Sequence, residues 1–251
     1  MMIRILMVGC NGRMGQMITQ LVKEDPDCEI AAGIDISNTI DNGYPVFSCC
    51  SECTEKADVA IDFGTAAAVD EVIDYCADNS IPLVTCSTGL SEDTLLHIKE
   101  ASAKVAVLKS ANMSLGINLL MKILKENAAK LTEAGFDVEI IEKHHRMKVD
   151  APSGTALALA DAVKEGTHEY DYVYDRSGRR EKRPQNEIGI SAIRGGTIVG
   201  EHDVIFAGSD EVVTFSHTAY SRMVFAKGAV SAAKFLHDKP AGYYDMADVL
   251  S

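Results

Sequence analysis

The sequence predicts an α/β protein in two parts: a parallel sheet with helical crossovers over residues 1–112, then an α+β region from about 113 to 222. Three observations carry this. Short apolar runs alternate with helical stripes through the first part, that rhythm breaks near residue 113, and three glycines at equal spacing mark the first strand-to-helix turn. "IRILMVGC" (Ile3 to Cys10) is a continuous apolar run, the mark of a strand buried on both faces. In "RMGQMITQLVKED", Met14, Met17, Ile18, Leu21 and Val22 fall on one helical stripe. "CEIAAGID", "ADVAIDFG", "IPLVTCSTG" and "VAVLKSANM" read as further strands. "AAAVDEVIDYCADN" and "SEDTLLHIKEASAK" read as helices, the latter with Ser91 as N-cap. Strict alternation implies a parallel sheet with right-handed crossovers.

Beyond residue 112, "SLGINLLMKILKENAAKL" is an amphipathic helix, "FDVEIIEKHH" a strand and "SGTALALADAVKEG" a helix. "EYDYVYDRSGRREKRPQNE" reads as an irregular loop whose basic run, Arg176 to Arg183, is a solvated surface by charge-run expectation. "IGISAIRGG", "IVGEHDVIFAG" and "EVVTFSHTA" follow, separated by turn residues, and predict an antiparallel sheet. "RMVFAKGAVSAAKFL" is the closing helix.

Composition narrows the function. The 251 residues are 47% hydrophobic and 24% charged, which suits a globular chain with a sizeable core. A net charge of −13 argues against nucleic acid or an anionic membrane as partner. No apolar run reaches the ~20 residues that span a bilayer, and the apolar start is too short for a signal peptide. The seven cysteines are odd in number and lie in the first third, so reduced thiols and a cytoplasmic location are expected. "CCSEC" (Cys49 to Cys53) has no second ligand pair, so no metal site is expected.

"GCNGRMG" sets Gly9, Gly12 and Gly15 between the first strand and first helix. There a glycine permits the tight turn, another admits a pyrophosphate to the backbone, and the helix N-terminus offers N–H groups. This predicts a dinucleotide. Asp35 ends the second strand, where a carboxylate would bond the adenosine ribose. Ile36, Ser37 and Asn38 follow it, with no cation to meet a 2′-phosphate, so NADH is expected over NADPH. "CSTG" (Cys86 to Gly89) and "SANM" (Ser110, Ala111, Asn112, Met113) lie at strand ends, the ligand edge of an open α/β sheet.

The second concentration of chemistry is "IIEKHHRMKVDAPSGTA" (Ile140 to Ala156). Strand alternation puts Val138, Ile140, Glu142 and His144 on one face, and Ile141, Lys143 and His145 on the other. Either one histidine faces a site, or the strand end twists and both line its rim. Pro152 suits the first turn of a helix, where Ser153, Gly154 and Thr155 would supply N–H groups as an anion seat. With Arg146 and Lys148 alongside, the seat suits a small carboxylate-bearing substrate. A histidine can exchange a proton near neutrality, and Lys148 could add charge or donate a proton.

These residues resemble the 4-hydroxy-tetrahydrodipicolinate reductase (dihydrodipicolinate reductase) family of the diaminopimelate route to lysine. The likeness runs in order through "GCNGRMG", "DFGT", "STG", "SANMSLGIN", "EIIEKHHRMKVDAPSGTAL", "RGGTIVGEH", "SRMVFAKGA" and "YYDMADVL". It implies a Rossmann-type dinucleotide-binding domain built from 1–112 plus 223–251. It also implies an inserted α+β substrate-binding and tetramerisation domain at 113–222, NADH or NADPH as cofactor, and a cyclic dicarboxylate substrate. By position, His144 corresponds to the proton donor/acceptor and Lys148 to a proton donor. His145, Gly154 and Thr155 correspond to substrate contacts, with Ser153 beside them. Gly9, Cys10, Asn11, Gly12, Arg13, Met14, Asp35, Cys86, Ser87, Thr88 and Ser110 to Met113 correspond to cofactor contacts. Lys143 stands where the family commonly has Ala. Alternation allows it to point away from the site; pointing inward, it would alter the local field.

Overall fold

The structure, a computed structural model, describes residues 2–110, 112–167 and 169–251. The chain divides into two compact units, Met1–Leu115 with Met223–Ser251, and Gly116–Arg222.

The first unit opens with β1 (Ile3–Val8), α1 (Arg13–Lys23), β2 (Cys28–Ile34), β3 (Val46–Phe47), β4 (Val59–Asp62), α2 (Val69–Asp78), β5 (Leu83–Thr85), α3 (Glu92–Ala101) and β6 (Ala106–Lys109). α4 (Leu115–Glu133) leads into the second unit, which holds β7 (Asp137–His144), α5 (Gly154–Gly166), β8 (Asp171–Val173), β9 (Glu187–Arg194), β10 (Gly200–Ala207) and β11 (Val212–Ala219). The chain then returns through α6 (Met223–Leu236), β12 (Gly242–Tyr244) and α7 (Met246–Val249).

The first sheet has the order β12-β6-β5-β4-β1-β2-β3, with every pairing parallel. Alternating side chains feed two cores. Ile5, Met7, Ile61 and Val84 join Ile18 of α1 and Ala229 and Ala233 of α6 on one face. Leu6, Val8, Ala60 and Val107 join Val72 and Ile73 of α2 and Ile98 of α3 on the other. Helices on both faces explain why these strands read as unbroken apolar runs.

The second sheet has the order β11-β10-β7-β9-β8 and is mixed. β10 runs antiparallel to both β7 and β11, whereas β9 runs parallel to β7 and to β8. The expectation of an antiparallel sheet is therefore wrong for β9. A helix, α5, separates β7 from β8 and β9, and a helical crossover returns the chain in the same direction. The polar stretch expected to be irregular also contains β8. Nor is its basic run simply solvated: Arg176 and Arg179 pair with Glu187, and Arg183 pairs with Asp137 and Glu139. Val138, Ile140, Val204 and Phe206 face the core beneath α4 and α5. The opposite sheet face, with Ile141, Lys143 and Ile205, is half-exposed.

Candidate active site

In the first unit the chain turns sharply after β1. Gly9 has φ +76°, and a Cβ there would lie 2.7 Å from the Phe63 carbonyl oxygen. At Gly15 a Cβ would lie 2.2 Å from the Gly9 carbonyl oxygen, so the loop and helix meet backbone to backbone. Gly12 is the N-cap of α1, contributes no side-chain cap, and the first turn carries no acidic residue. The helix N-terminus is thus left to an anion from outside the helix. These features fit a dinucleotide pyrophosphate.

The side chains around the loop do other work. Cys10 is fully buried against Gly33, and burial pushes its thiol up to about 11, so only its backbone faces the loop. Asn11 joins Asn42, which accepts from Gln16, and this amide chain ties the loop to the segment after β2. Met14 packs on the core, while Arg13 is exposed. The Asp35 carboxylate accepts from the Asn11 N–H at 2.9 Å and the Ser37 N–H at 3.0 Å. It borders a cavity of about 180 Å³ shared with Gly9, Ile36, Cys49, Thr65 and Glu71, and no Lys or Arg is among its described lining residues.

The neighbouring strand ends carry a buried carboxylate. Asp62 accepts from the Gly64 N–H at 2.8 Å, the Ser87 hydroxyl at 2.9 Å and the Thr85 hydroxyl at 3.3 Å. Burial raises its pKa, and these donors partly offset the rise. Lys109 donates to the Ser87 carbonyl at 3.1 Å, and burial lowers its pKa. Ser87 therefore turns its hydroxyl into the protein, and Cys86 is buried beside it, while Thr88 is exposed. Ser110 donates to the Asn112 carbonyl, and Met113 is buried. Ala111 lies outside the described residues.

In the second unit, β7 ends on a polar cluster. Burial alternates along the strand as the sequence requires, and His144 is the inward-facing histidine. Its Nδ1 lies 2.6 Å from Glu142 Oε2. Glu142 is fully buried and accepts both terminal nitrogens of Arg194 at 2.7 Å, together with the Ser153 N–H at 3.0 Å. Burial alone would raise the Glu142 pKa, but Arg194, His144 and Ser153 outweigh it and the carboxyl titrates below its ordinary range. Burial lowers the His144 pKa below 6.5, Glu142 offsets part of this, and Lys148 and Arg194 add to it.

Ser153 is the N-cap of α5, accepting from the Ala156 N–H at 3.1 Å, and its hydroxyl lies 3.1 Å from His202 Nε2. The ring of His202 stands edge-on to His144, with centroids 5.1 Å apart. Gly154 and Thr155 form the first turn. Pro152 was expected in that turn but precedes the cap, because Ser153 takes the N-cap position and the helix begins at Gly154. Lys148 pairs with Asp150 at 2.8 Å. His145 lies just past the strand end, half-buried. Lys143 points to the opposite sheet face and pairs with Glu201 at 2.9 Å and Asp203 at 3.5 Å.

Comparison with known proteins decides the family. Residues 3–113 match the family "Dihydrodipicolinate reductase, N-terminus" and residues 116–250 match "Dihydrodipicolinate reductase, C-terminus". The chain belongs to the dihydrodipicolinate reductase family. A 4-hydroxy-tetrahydrodipicolinate reductase of Caldanaerobacter subterraneus subsp. tengcongensis is 53% identical over 100% of this chain and 99% of its own. One from Clostridium tetani is 49% identical over 100% and 98%. The dipicolinate-bound dihydrodipicolinate reductase from Paenisporosarcina sp. TG-14 superposes with a TM-score of 0.81 at 26% identity, covering 100% of both chains.

Within this dihydrodipicolinate reductase fold, the structure gathers buried His144, Ser153, Glu142 and His202 with part-buried Arg194 into one network. Arg194 and His202 received no role from sequence reading. They stand in "RGGTIVGEH", a stretch of the family resemblance, which was the available signal. Their place beside His144 depends on strand register: Arg194 sits opposite His144, and His202 opposite Glu142.

Proposed function

We propose that the chain reduces 4-hydroxy-tetrahydrodipicolinate to tetrahydrodipicolinate, a hydride and a proton entering as water leaves, with NADH preferred over NADPH. The observation that carries this is the His144 cluster at the N-terminus of α5, with Lys148 alongside, in a chain matching the family over both halves. The first unit holds the nucleotide through the backbone of Gly9 to Met14, through Asp35, and through the strand ends Cys86 to Thr88 and Ser110, Asn112 and Met113. Its dihydronicotinamide supplies the hydride. The second unit holds the dicarboxylate, with one carboxylate at Gly154 and Thr155 and His145 at its rim. His144 exchanges a proton through its ring, and Lys148 donates one. Positive charge at Lys148 and Arg146 offsets the substrate's charge and the electron density that arrives with the hydride.

The preference for NADH rests on the cavity at Asp35, where Asp35 and Glu71 stand with no Lys or Arg among the described lining residues and Ile36 is exposed. A 2′-phosphate there meets carboxylate instead of a positive charge. The chain assembles as a homotetramer through the second unit, the reading that the family resemblance supplies, and the half-exposed sheet face is the surface it offers. No helix of the described residues is long and apolar enough to cross a membrane.

The test is nucleotide oxidation at matched NADH and NADPH concentrations, with substrate generated in place from pyruvate and aspartate semialdehyde by the preceding synthase. Fast oxidation with NADH favoured is expected. Equal or better rates with NADPH would remove the argument from Asp35. No oxidation by folded, NADH-bound protein would leave a nucleotide-binding chain without this activity. His144→Ala and Lys148→Ala are each expected to lose at least about 10²-fold in kcat while keeping NADH affinity.

A further inference from the structure

We infer that Glu142, Arg194 and Gly200 are positioning residues for His144: the Arg194–Glu142 pair holds the ring by Nδ1 so that Nε2 exchanges the proton, and Gly200 keeps the space beside Nε2 clear. This rests on the reading of His144 as the proton-exchanging group.

The geometry is specific. An ionised carboxylate only accepts hydrogen bonds, so the 2.6 Å contact requires the hydrogen on Nδ1 and leaves the lone pair of a neutral ring on Nε2. Glu142 stays ionised, although fully buried, because the Arg194 fork and the Ser153 N–H occupy its other lone pairs. It therefore does not take the ring's proton, and it steadies the imidazolium once Nε2 is protonated. On the other side, a Cβ at Gly200 would stand 3.1 Å from Nε2 and 3.9 Å from the His202 ring. The strand there has ordinary φ, so this glycine answers to space and not to backbone conformation.

Among the described residues, the other groups around His144 add no second anion in contact. Arg194 lies opposite on β9, His202 is edge-on from β10 with His217 beyond it on β11, and Lys148 and Asp150 sit in the loop before α5. Burial pushes His202 down to about 4, so it is an uncharged wall at working pH. Among the described residues, Glu142 is the carboxylate bonded to the ring.

The experiment uses the full chain with Glu142→Gln, Arg194→Lys and Gly200→Ala, read by kcat, substrate KM, NADH affinity and the pH dependence of kcat. For Glu142→Gln, kcat should fall about 10²-fold with NADH affinity kept. The pH limb belonging to His144 should move to lower pH, since its imidazolium loses the carboxylate. Arg194→Lys should give a smaller loss in the same direction. Gly200→Ala should lower kcat about 10-fold with the limb unmoved, because the ring is displaced while its partner remains. Full rate in Glu142→Gln, a loss without movement of the limb, or an unaffected Gly200→Ala would overturn the inference.

A second readout needs no turnover and no variant. Two-bond ¹H–¹⁵N spectra of the wild-type protein at neutral pH should show His144 with its hydrogen on Nδ1. The Nε2–H form would overturn the inference even if Glu142→Gln fails to fold. If His144→Ala keeps full rate, it is the catalytic reading of His144 that fails; the tautomer still reports separately on the clamp.

Discussion

The glycine loop after β1 and the polar cluster at the end of β7 both place hydrogen-bonding groups for a ligand, but from different materials. The loop uses main-chain N–H groups and a helix end: its glycines carry no side chain, Cys10 is buried, Asn11 is bonded to Asn42, and Arg13 is exposed. The cluster uses side chains drawn from β7, β9 and β10, fixed by a helix cap. The first kind of site is sensitive to any added atom. The second is sensitive to charge and to which ring nitrogen carries the proton.

The largest expected effect separates the two. Gly15→Ala sets a Cβ 2.2 Å from the Gly9 carbonyl oxygen and 2.5 Å from that of Cys10, both main-chain atoms that cannot rotate away. The loop must shift, at a cost of about 3 kcal/mol or more in stability, and NADH affinity should drop by orders of magnitude in a fluorescence titration. Wild-type affinity in Gly15→Ala would mean that the backbone contact is not what shapes the nucleotide seat.

A smaller effect tests the second site by pH. Burial holds His202 near 4 in the folded state against an ordinary value of 6.5. Between those values the unfolded chain binds the proton and the folded chain does not. Stability is therefore full above pH 6.5 and falls as pH drops toward 4, by about 3 kcal/mol in all. His144, also lowered by burial, adds to the same slope. His97, in the first unit, has the opposite sign. Its hydrogen bond to Asp70, with Asp74 behind it, raises its pKa, so its contribution is present below 6.5 and fades as pH rises through the folded value. Urea unfolding from pH 4.5 to 8 should show a shallower acid slope in His202→Gln than in wild type, and an undiminished one in His97→Gln. An unchanged slope in His202→Gln would show that His202 is not held neutral by burial.

The same contrast explains how far the molecule could be read from its residues. The glycines, the strand before them and the helix after them are contiguous, so local chemistry named the loop. His144 and Lys148 shared a run with Pro-Ser-Gly-Thr, so the anion seat was visible as well. Arg194 and His202 are brought in by β7 pairing with β9 and β10, across 50 and 58 residues from His144. Register is not written in either strand alone. The parallel course of β9 escaped for a related reason: turn residues between successive strands suggested hairpins, but the neighbour was chosen by the α5 crossover. The arginines at 176 and 183 looked solvated because their partners Asp137 and Glu139 lie on a distant strand; Arg179 pairs with Glu187 of β9.

Lys143 gives the smallest expected effect and the sharpest control. It adjoins His144 in sequence, and a cation there would add to the field of Arg194 and Lys148. The strand turns it to the other face, where Glu201 and Asp203 of β10 hold it. These carboxylates raise its pKa, so it is charged throughout the working range, yet the sheet lies between that charge and the ring. Lys143→Ala should leave kcat, substrate KM and the His144 limb where they are in wild type, and alter only the salt dependence of unfolding. A limb displaced as far as in Glu142→Gln would mean that the two sheet faces are electrostatically one site, and that the identity of the nearest carboxylate matters less to His144 than total charge around it.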